Sequence, residues 1–384
     1  MHRMTFYPLG NADACLIDLD NGKKILFDFG DEGDPNNADD KRISLCATLR
    51  EDMEAANKEN YEIFAVTHLD NDHTCKAETF FWFDHAAKYQ GKGRFKIDTM
   101  WVPAGVITEP RTDLGEGAKV IQAEAQHRLK KGYGIRVFSR PAALKDWLVK
   151  NGLTLESREH LITDAGNVAP ELSLTNDSVE FFVHSPFASR QDGQLFDRNR
   201  DSLVMQATFD AYGTQTRAIL GSDSDHCDWT EMVGITRYHH REERLEWDIF
   251  KLPHHCSYLT IGPDKGKEKT EPVDATRWLF EEKANSSCII VSPCWPIPAK
   301  GSEGDEDPQP PHRQAKNYYV VDVVNPKDGE WRVTMEHPKV SSPEPIVIEI
   351  TGRGTLLKKQ IAVGAAAVTS VRAPRAGLNA SNIS

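Results

Sequence analysis

One stretch, Thr67-His68-Leu69-Asp70-Asn71-Asp72-His73, constrains this chain more than any other. It packs four imidazole or carboxylate side chains into six positions, directly behind the apolar run Ile63 to Thr67. That run reads as a short buried strand. A loop at a strand end can turn several side chains toward one point. His68 and Asp70 stand two apart, and Asp72 and His73 are adjacent. In a tight loop this spacing can serve two ions, one from each pair. Imidazole and carboxylate donors suit zinc or manganese, with iron as a further option. A merely solvated acidic turn would not need so many donors behind an apolar strand.

The surrounding text alternates between strands and helices. Met4 to Tyr7 and Ala14 to Leu19 read as strands about the turn Gly10-Asn11-Ala12-Asp13. Asn21-Gly22 fits a tight hairpin turn before Lys24 to Phe29. Ile43 to Asn57 has helical spacing, with Leu45, Leu49 and Met53 on one side. Between 80 and 165, helical patterns (Phe80 to Tyr89, Gly117 to Lys131, Pro141 to Lys150) alternate with strands at Thr99 to Val102 and Ile135 to Phe138. Further strands are expected at Glu180 to His184, Leu203 to Phe209, Arg217 to Leu220, Ile249 to Leu252, Cys288 to Ser292, 331–336 and 346–351. Mixed elements with long connections between strands place the chain in the α/β (α+β) class.

Composition narrows the function. Lys and Arg number 46 against 58 Asp and Glu, a formal charge of −12. That balance opposes broad coating of nucleic acid, though not a local basic groove. No apolar run approaches the ~18 residues that span a bilayer. The N-terminus Met1-His2-Arg3-Met4 leads into strand-like sequence rather than a signal peptide. Seven cysteines, with no C-x-x-C pair, read as reduced thiols. A cytoplasmic protein with no membrane association is the expectation.

The H-x-D-x-D-H run resembles the metallo-β-lactamase fold signature H-x-H-x-D-H, with Asp70 in place of the second His. This variant looks like the hydrolase domain of ComEC-type DNA-uptake proteins. Other pieces follow in order: Gly10-Asn11-Ala12-Asp13-Ala14 is similar to a G-x-G-D-A turn, and Asp28-Phe29-Gly30 to D-x-G. His184-Ser185-Pro186 resembles an H-P segment, and Asn199 to Val204 an N-x-x-S-L-V strand entry. Gly221-Ser222-Asp223 resembles the G-D strand end, and Lys251 to Ser257 the run K-V-x-H-H-G-S. The resemblance spans roughly residues 4–350.

It implies a four-layer αβ/βα sandwich, two mixed β-sheets flanked by helices, with a binuclear metal site at one edge. Residues 1–355 would form one such domain with an insertion at about 80–165, and 356–384 a disordered tail. His68, Asp70 and one of His254 or His255 would contribute ligands, with His255 preferred. Asp72 and His73 would hold the second ion, and Asp223 would bridge. Asp28 would orient the ligand loop. Asp72 could also orient the attacking water. The family's third-motif His has no evident equivalent, with His184 the nearest substitute and Asp225-His226 a rival ligand pair.

Asn199, Arg200 and Ser202 could donate hydrogen bonds to a substrate anion, and His312 could reach the site from a loop. Arg190, Arg198 and Arg200 could form a phosphate clamp, with a solvated charge run as the more common meaning of such a cluster. The leading expectation is a metal-dependent phosphodiesterase or nuclease acting on nucleic acid or a phosphate-containing small molecule. Two alternatives stand beside it. One is hydrolysis of an ester, lactone or amide. The other is a partner-dependent effector or sensor subunit of a bacterial defence or DNA-handling system, which would require a protein partner.

Overall fold

The computed structural model describes residues 1–34, 36–187 and 202–358. Asn199 and Arg200, with Arg190, Arg198 and Asp201, lie outside the described residues, as does the chain beyond 358. Among the described residues, the first sheet holds strands β1 (His2–Phe6), β2 (Cys15–Asp18), β3 (Lys24–Phe27), β4 (Asn60–Ala65), β5 (Lys96–Pro103), β6 (Ile135–Phe138) and β7 (Ile162–Thr163). The second holds β8 (Val179–Ser185), β9 (Val204–Ala211), β10 (Thr214–Leu220), β11 (Trp247–Lys251), β12 (Ala284–Ser292) and β13 (Glu330–Val333). A small hairpin, β14 (Pro338–Lys339) with β15 (Ser342–Pro343), precedes β16 (Ile346–Thr351) and β17 (Gly354–Leu357). The last two return to the first sheet, whose order is β17-β16-β1-β2-β3-β4-β5-β6-β7. The second sheet runs β13-β12-β11-β10-β9-β8.

Strand periodicity explains the layers. In β3, Ile25 and Phe27 point into the core between the sheets, and Leu26 points the other way. Ile63 and Ala65 of β4 join the inter-sheet core, where they meet Phe181, Met205, Leu220 and Ile249 of the second sheet. Phe64 faces outward instead, packing with Leu45, Leu49 and Met53 of the helix Leu45–Ala55 and with Ile121 and Leu129 of the helix Glu116–Lys131. On the far side, Ile219, Phe250 and Ile290 pack with Trp229, Met232 and Val233 of the helix His226–Tyr238. The result is the expected order of helices, sheet, sheet and helices. Strands buried on both faces need continuous apolar runs, which is why β3 reads Lys-Ile-Leu-Phe with all four residues buried.

Within each sheet, one half is parallel: β3 to β7 in the first and β10 to β13 in the second. Side chains that follow the carboxyl ends of parallel strands gather at one rim, where open α/β sheets build their crevices. Segment 80–165 contributes β5, β6 and β7 to that same sheet.

Some local expectations fail. Phe80 to Tyr89 is not one helix: Ala77–Phe80 is helical, Phe81 bridges Phe95, and Ala87–Tyr89 forms a single tight turn. Phe80, Phe81 and Phe83 are wanted by the aromatic core about Phe29, Tyr61 and Phe64, and this overrides the helical spacing. Residues 331–336 are strand only to Val333. A helix at Arg313–Tyr318, continued by Tyr319–Val324, was not legible in the sequence. No helix among the described residues is long and apolar enough to cross a membrane.

Candidate metal centre

β3, β4, β10 and β11 end at the same rim. Three of them, β3, β10 and β11, lead into turns with strained backbone. Asp28, Ser222, His254, His255 and Cys256 all adopt positive φ, between 45° and 67°. Non-glycine residues in this region cost about 1–3 kcal/mol each and persist only where surrounding structure over-determines them.

Hydrogen bonds supply that determination. Asp28 N–H donates to Ala65 C=O at 2.8 Å, and His254 N–H to Ser222 C=O at 3.1 Å. Gly30 N–H donates to Asp13 C=O and Asp13 N–H to Asp72 C=O, both at 2.9 Å. A Cβ on Gly30 would lie 1.9 Å from Asp72 O, so only glycine lets these loops close.

Three imidazoles converge with the same polarity. His73 Nδ1 donates to Asp28 Oδ2 at 2.9 Å. His255 Nδ1 donates to Pro293 C=O at 2.8 Å. His68 Nδ1 lies 3.1 Å from Thr67 Oγ1, which itself donates to Asp28 Oδ2 at 2.9 Å. Asp28 Oδ1 also accepts Thr67 N–H at 2.7 Å. Asp28 and Thr67 therefore set the tautomer of two histidines and leave Nε2 of each as the lone-pair end.

The Nε2 atoms face carboxylates. His73 Nε2 is 3.3 Å from Asp223 Oδ1 and 3.4 Å from Asp72 Oδ2. His68 Nε2 is 3.5 Å from Asp223 Oδ2, so the Asp223 carboxylate lies between the two rings. His255 Nε2 is 3.0 Å from Asp72 Oδ2. Asp70 Oδ2 lies 3.7 Å from His68 Nε2. Asp13, His73, Asp223 and His255 are all buried and offer atoms within 4.8 Å of one another, close enough to share one ion. His68 Nε2, His73 Nε2, Asp13 Oδ1 and Asp223 Oδ1 are buried without hydrogen-bond partners. Unsatisfied buried polar atoms are rare, and four of them on neighbouring residues fit a cation with nitrogen and oxygen ligands.

Electrostatics agree. Burial would pull His73 down, but Asp72, Asp28 and Asp223 outweigh it and hold the imidazole well above its ordinary value. Burial likewise opposes the charged form of His255, yet the Asp72 hydrogen bond and the charges of Asp13 and Asp223 push it up to about 9. Burial would raise Asp223 and Asp72; the neighbouring histidines instead hold both well below the usual carboxylate range. The cluster draws in positive charge.

Of the paired histidines, His255 points into the cluster. His254 stands half-buried beside it, kept toward neutrality by burial. Ser202 is buried next to Leu203, whose N–H donates to Thr67 C=O at 3.1 Å. His312 is spent on structure: Nδ1 accepts Tyr258 N–H at 3.3 Å, and Nε2 lies 3.2 Å from Pro308 C=O. Burial pushes it down to about 4. His184 is not a substitute third ligand, because its Nε2 donates to Arg244 C=O at 2.8 Å. Asp225 caps the helix His226–Tyr238, accepting from Cys227 and Asp228 N–H. Asp225, His226 and Cys227 form a separate, more exposed group. Cys256 is buried, and burial pushes its thiol up to about 12, so it is chemically quiet.

Two participants escaped the sequence reading. Asp13 Oδ2 accepts from Lys251 Nζ at 2.6 Å and lies 3.7 Å from His73 Nε2. Both partners are buried, a charged pair at the floor of the centre. Their signals were present, in the Asp of the N-terminal turn and the Lys two residues before Pro253, but pairing them needed the tertiary contact.

No protein-family model and no curated protein matches the chain. Solved structures similar to it include a diphosphatase of the PhnP family, at 10% identity and TM-score 0.28, covering 77% of this chain and 87% of that one. Another is zinc-bound PqqB from Methylobacterium extorquens, at 7% identity and TM-score 0.26, covering 66% and 72%.

Proposed function

We propose that the chain is a metal-dependent hydrolase with a binuclear centre of the metallo-β-lactamase type, acting on phosphodiesters in nucleic acid or in a phosphate-containing small molecule. One observation carries the reading: Asp13, His73, Asp223 and His255 are buried with ligand atoms within 4.8 Å of one another, and His73 Nε2, Asp223 Oδ1 and the neighbouring His68 Nε2 are unsatisfied. His73, Asp223 and His255, with Asp13 and Asp72 beside them, would hold one ion, and His68, Asp70 and Asp223 the other. Zinc or manganese suits these donors. Ions bound there lower the pKa of water toward neutrality and withdraw charge from the scissile oxygen.

The protein's own groups do the rest. Asp72, kept ionised between His73 and His255, is placed to orient a water. Asp28 and Thr67 hold His73 and His68 in register, and Lys251 offsets the charge of Asp13. The phosphodiester preference is supported by the arginines at 190, 198 and 200, residue types that pair bidentately with phosphate.

Metal analysis of protein purified without added ions should find bound divalent metal. The loaded protein should cleave bis-p-nitrophenyl phosphate, DNA or RNA, and Asp72→Ala and His73→Ala should abolish cleavage. Metal-loaded protein that hydrolyses only carboxylic esters would move the reading to acyl substrates. Protein silent on every substrate until a co-purifying partner is added would make it a subunit.

A further inference from the structure

The strand β5 runs parallel to β4, so the chain leaving β5 emerges beside the His68 loop. It passes through the short helix Ala104–Thr108 to Glu109 and then Arg111. Arg111 Nη2 lies 3.6 Å from Asp70 Oδ1, and the other oxygen of Asp70 lies 3.7 Å from His68 Nε2. A guanidinium from segment 80–165 thus stands one carboxylate away from the centre.

Its support is firm. Glu109 is buried, accepts Arg111 N–H at 3.1 Å, and lies 3.4 Å from Arg111 Nε. The helix Glu116–Lys131 braces the loop: Gln122 donates to Glu109 C=O and Gln126 to Ile107 C=O, each at 2.9 Å. That helix docks tightly on the short helix Asn71–Thr74 of the ligand loop. A Cβ on Gly117 would meet Thr74 O at 2.0 Å. Ligand loop and arginine loop are therefore held as one unit.

The charge balance gives the arginine a task. Asp13, Asp28, Asp70, Asp72 and Asp223 gather at the rim, and Lys251 is committed to Asp13. The ions proposed above would offset most of that charge at the centre, and Arg111 adds a fixed positive charge beside Asp70 at its edge. The Arg111 side chain is 35% exposed, so its guanidinium faces both Asp70 and solvent. A planar fork of five donors touching two carboxylates keeps donors for a third oxygen pair, the geometry that matches phosphate. A neutral ester would offer it nothing comparable.

We propose that Arg111 is the residue that recognises an anionic phosphoryl oxygen of the substrate, so that the loop following β5 makes the site selective for phosphoryl compounds. The proposal rests on the hydrolase reading above for its biological meaning, but not for its test.

The test uses inorganic phosphate as the probe and titration calorimetry on the full chain carrying its metal, for wild type, Arg111→Lys and Arg111→Met. Metal content and thermal unfolding are measured on each sample. The expected result is phosphate binding weakened at least tenfold in Arg111→Met and partly restored in Arg111→Lys, with metal content retained. If the wild type also turns over bis-p-nitrophenyl phosphate, KM should rise more than kcat falls. Equal phosphate affinity in wild type and Arg111→Met would overturn the proposal. So would a wild type that binds no phosphate, or an Arg111→Met variant whose sole change is extra bound metal, which would make the guanidinium a substitute for an ion. Arg111→Lys separates recognition from misfolding, because it keeps the charge and the stem. Arg111-dependent phosphate binding without any hydrolysis would leave this proposal standing and sink the hydrolase reading.

Discussion

The two halves of the centre are built to different standards. In the deep half, His73, Asp223, His255 and Asp13 are all buried, and each imidazole is oriented by an acceptor on its far nitrogen. In the outer half, His68 is buried but Asp70 is partly exposed and leans toward Arg111. The deep half is closed by ligands from β4, β10 and β11, with Asp28 of β3 and Lys251 behind them. Among the described residues, His68 is the imidazole of the outer half. The difference teaches that the deep half is fixed by buried, hydrogen-bonded side chains, whereas in the outer half Asp70 lies between an imidazole and a guanidinium.

That contrast sets the size of each expected effect. His73→Ala or Asp223→Asn should remove deep-half metal, and hydrolysis should fall roughly a thousandfold, about 4 kcal/mol in barrier. Metal content measured beside the rate checks that the loss follows the ion. Lys251→Met breaks a buried pair and leaves Asp13 uncompensated, so it should destabilise the metal-free protein by about 3–5 kcal/mol. Denaturant unfolding reads this, and added metal should recover part of the loss. Asp28→Ala releases both His73 and Thr67, and metal affinity should fall about 10–100-fold.

The pH dependence tests the same half. With no ion present, His255 sits at about 9 against an ordinary 6.5, raised by its carboxylate neighbours once burial is overcome. A raised histidine contributes stability that is present below its unfolded value and lost as pH climbs through the folded one. Chelated protein should therefore lose thermal stability between pH 6.5 and about 9. Metal affinity should rise over the same interval, since the ion must displace the proton. Calorimetry in buffers of different ionisation enthalpy would show the proton release. Asp70→Ala should cost least, about tenfold in activity (~1.4 kcal/mol), because only the outer half loses a ligand. A loss as large as that of His73→Ala would erase the distinction between the halves.

Much of the centre could be read one-dimensionally. His68, Asp70, Asp72 and His73 lie within one loop, and helix and strand periods located most of the elements around them. Of the paired histidines, His255 lies 3.0 Å from Asp72 and is buried, while His254 is half-buried. The aromatic segment 80–89 misled, because Phe80, Phe81 and Phe83 serve a core whose other members are distant in sequence. His312 and His184 looked available as histidines in promising positions, but both ring nitrogens of His312 and Nε2 of His184 meet backbone groups elsewhere in the chain.

What the sequence determined by itself is the local chemistry: which donors exist, their spacing in the ligand loop, and the strand ends that carry them. Only the tertiary structure decided their partners. The Asp13–Lys251 pair spans 238 positions, and the Asp72–His255 contact spans 183. Arg111 reaches Asp70 only because β5 lies parallel to β4. The physical reason is range. Periodicity and turn chemistry act over a few residues and leave a pattern in the chain. Ion pairs and orienting hydrogen bonds act over a few ångströms, and which residues come that close is settled by how the two sheets pack.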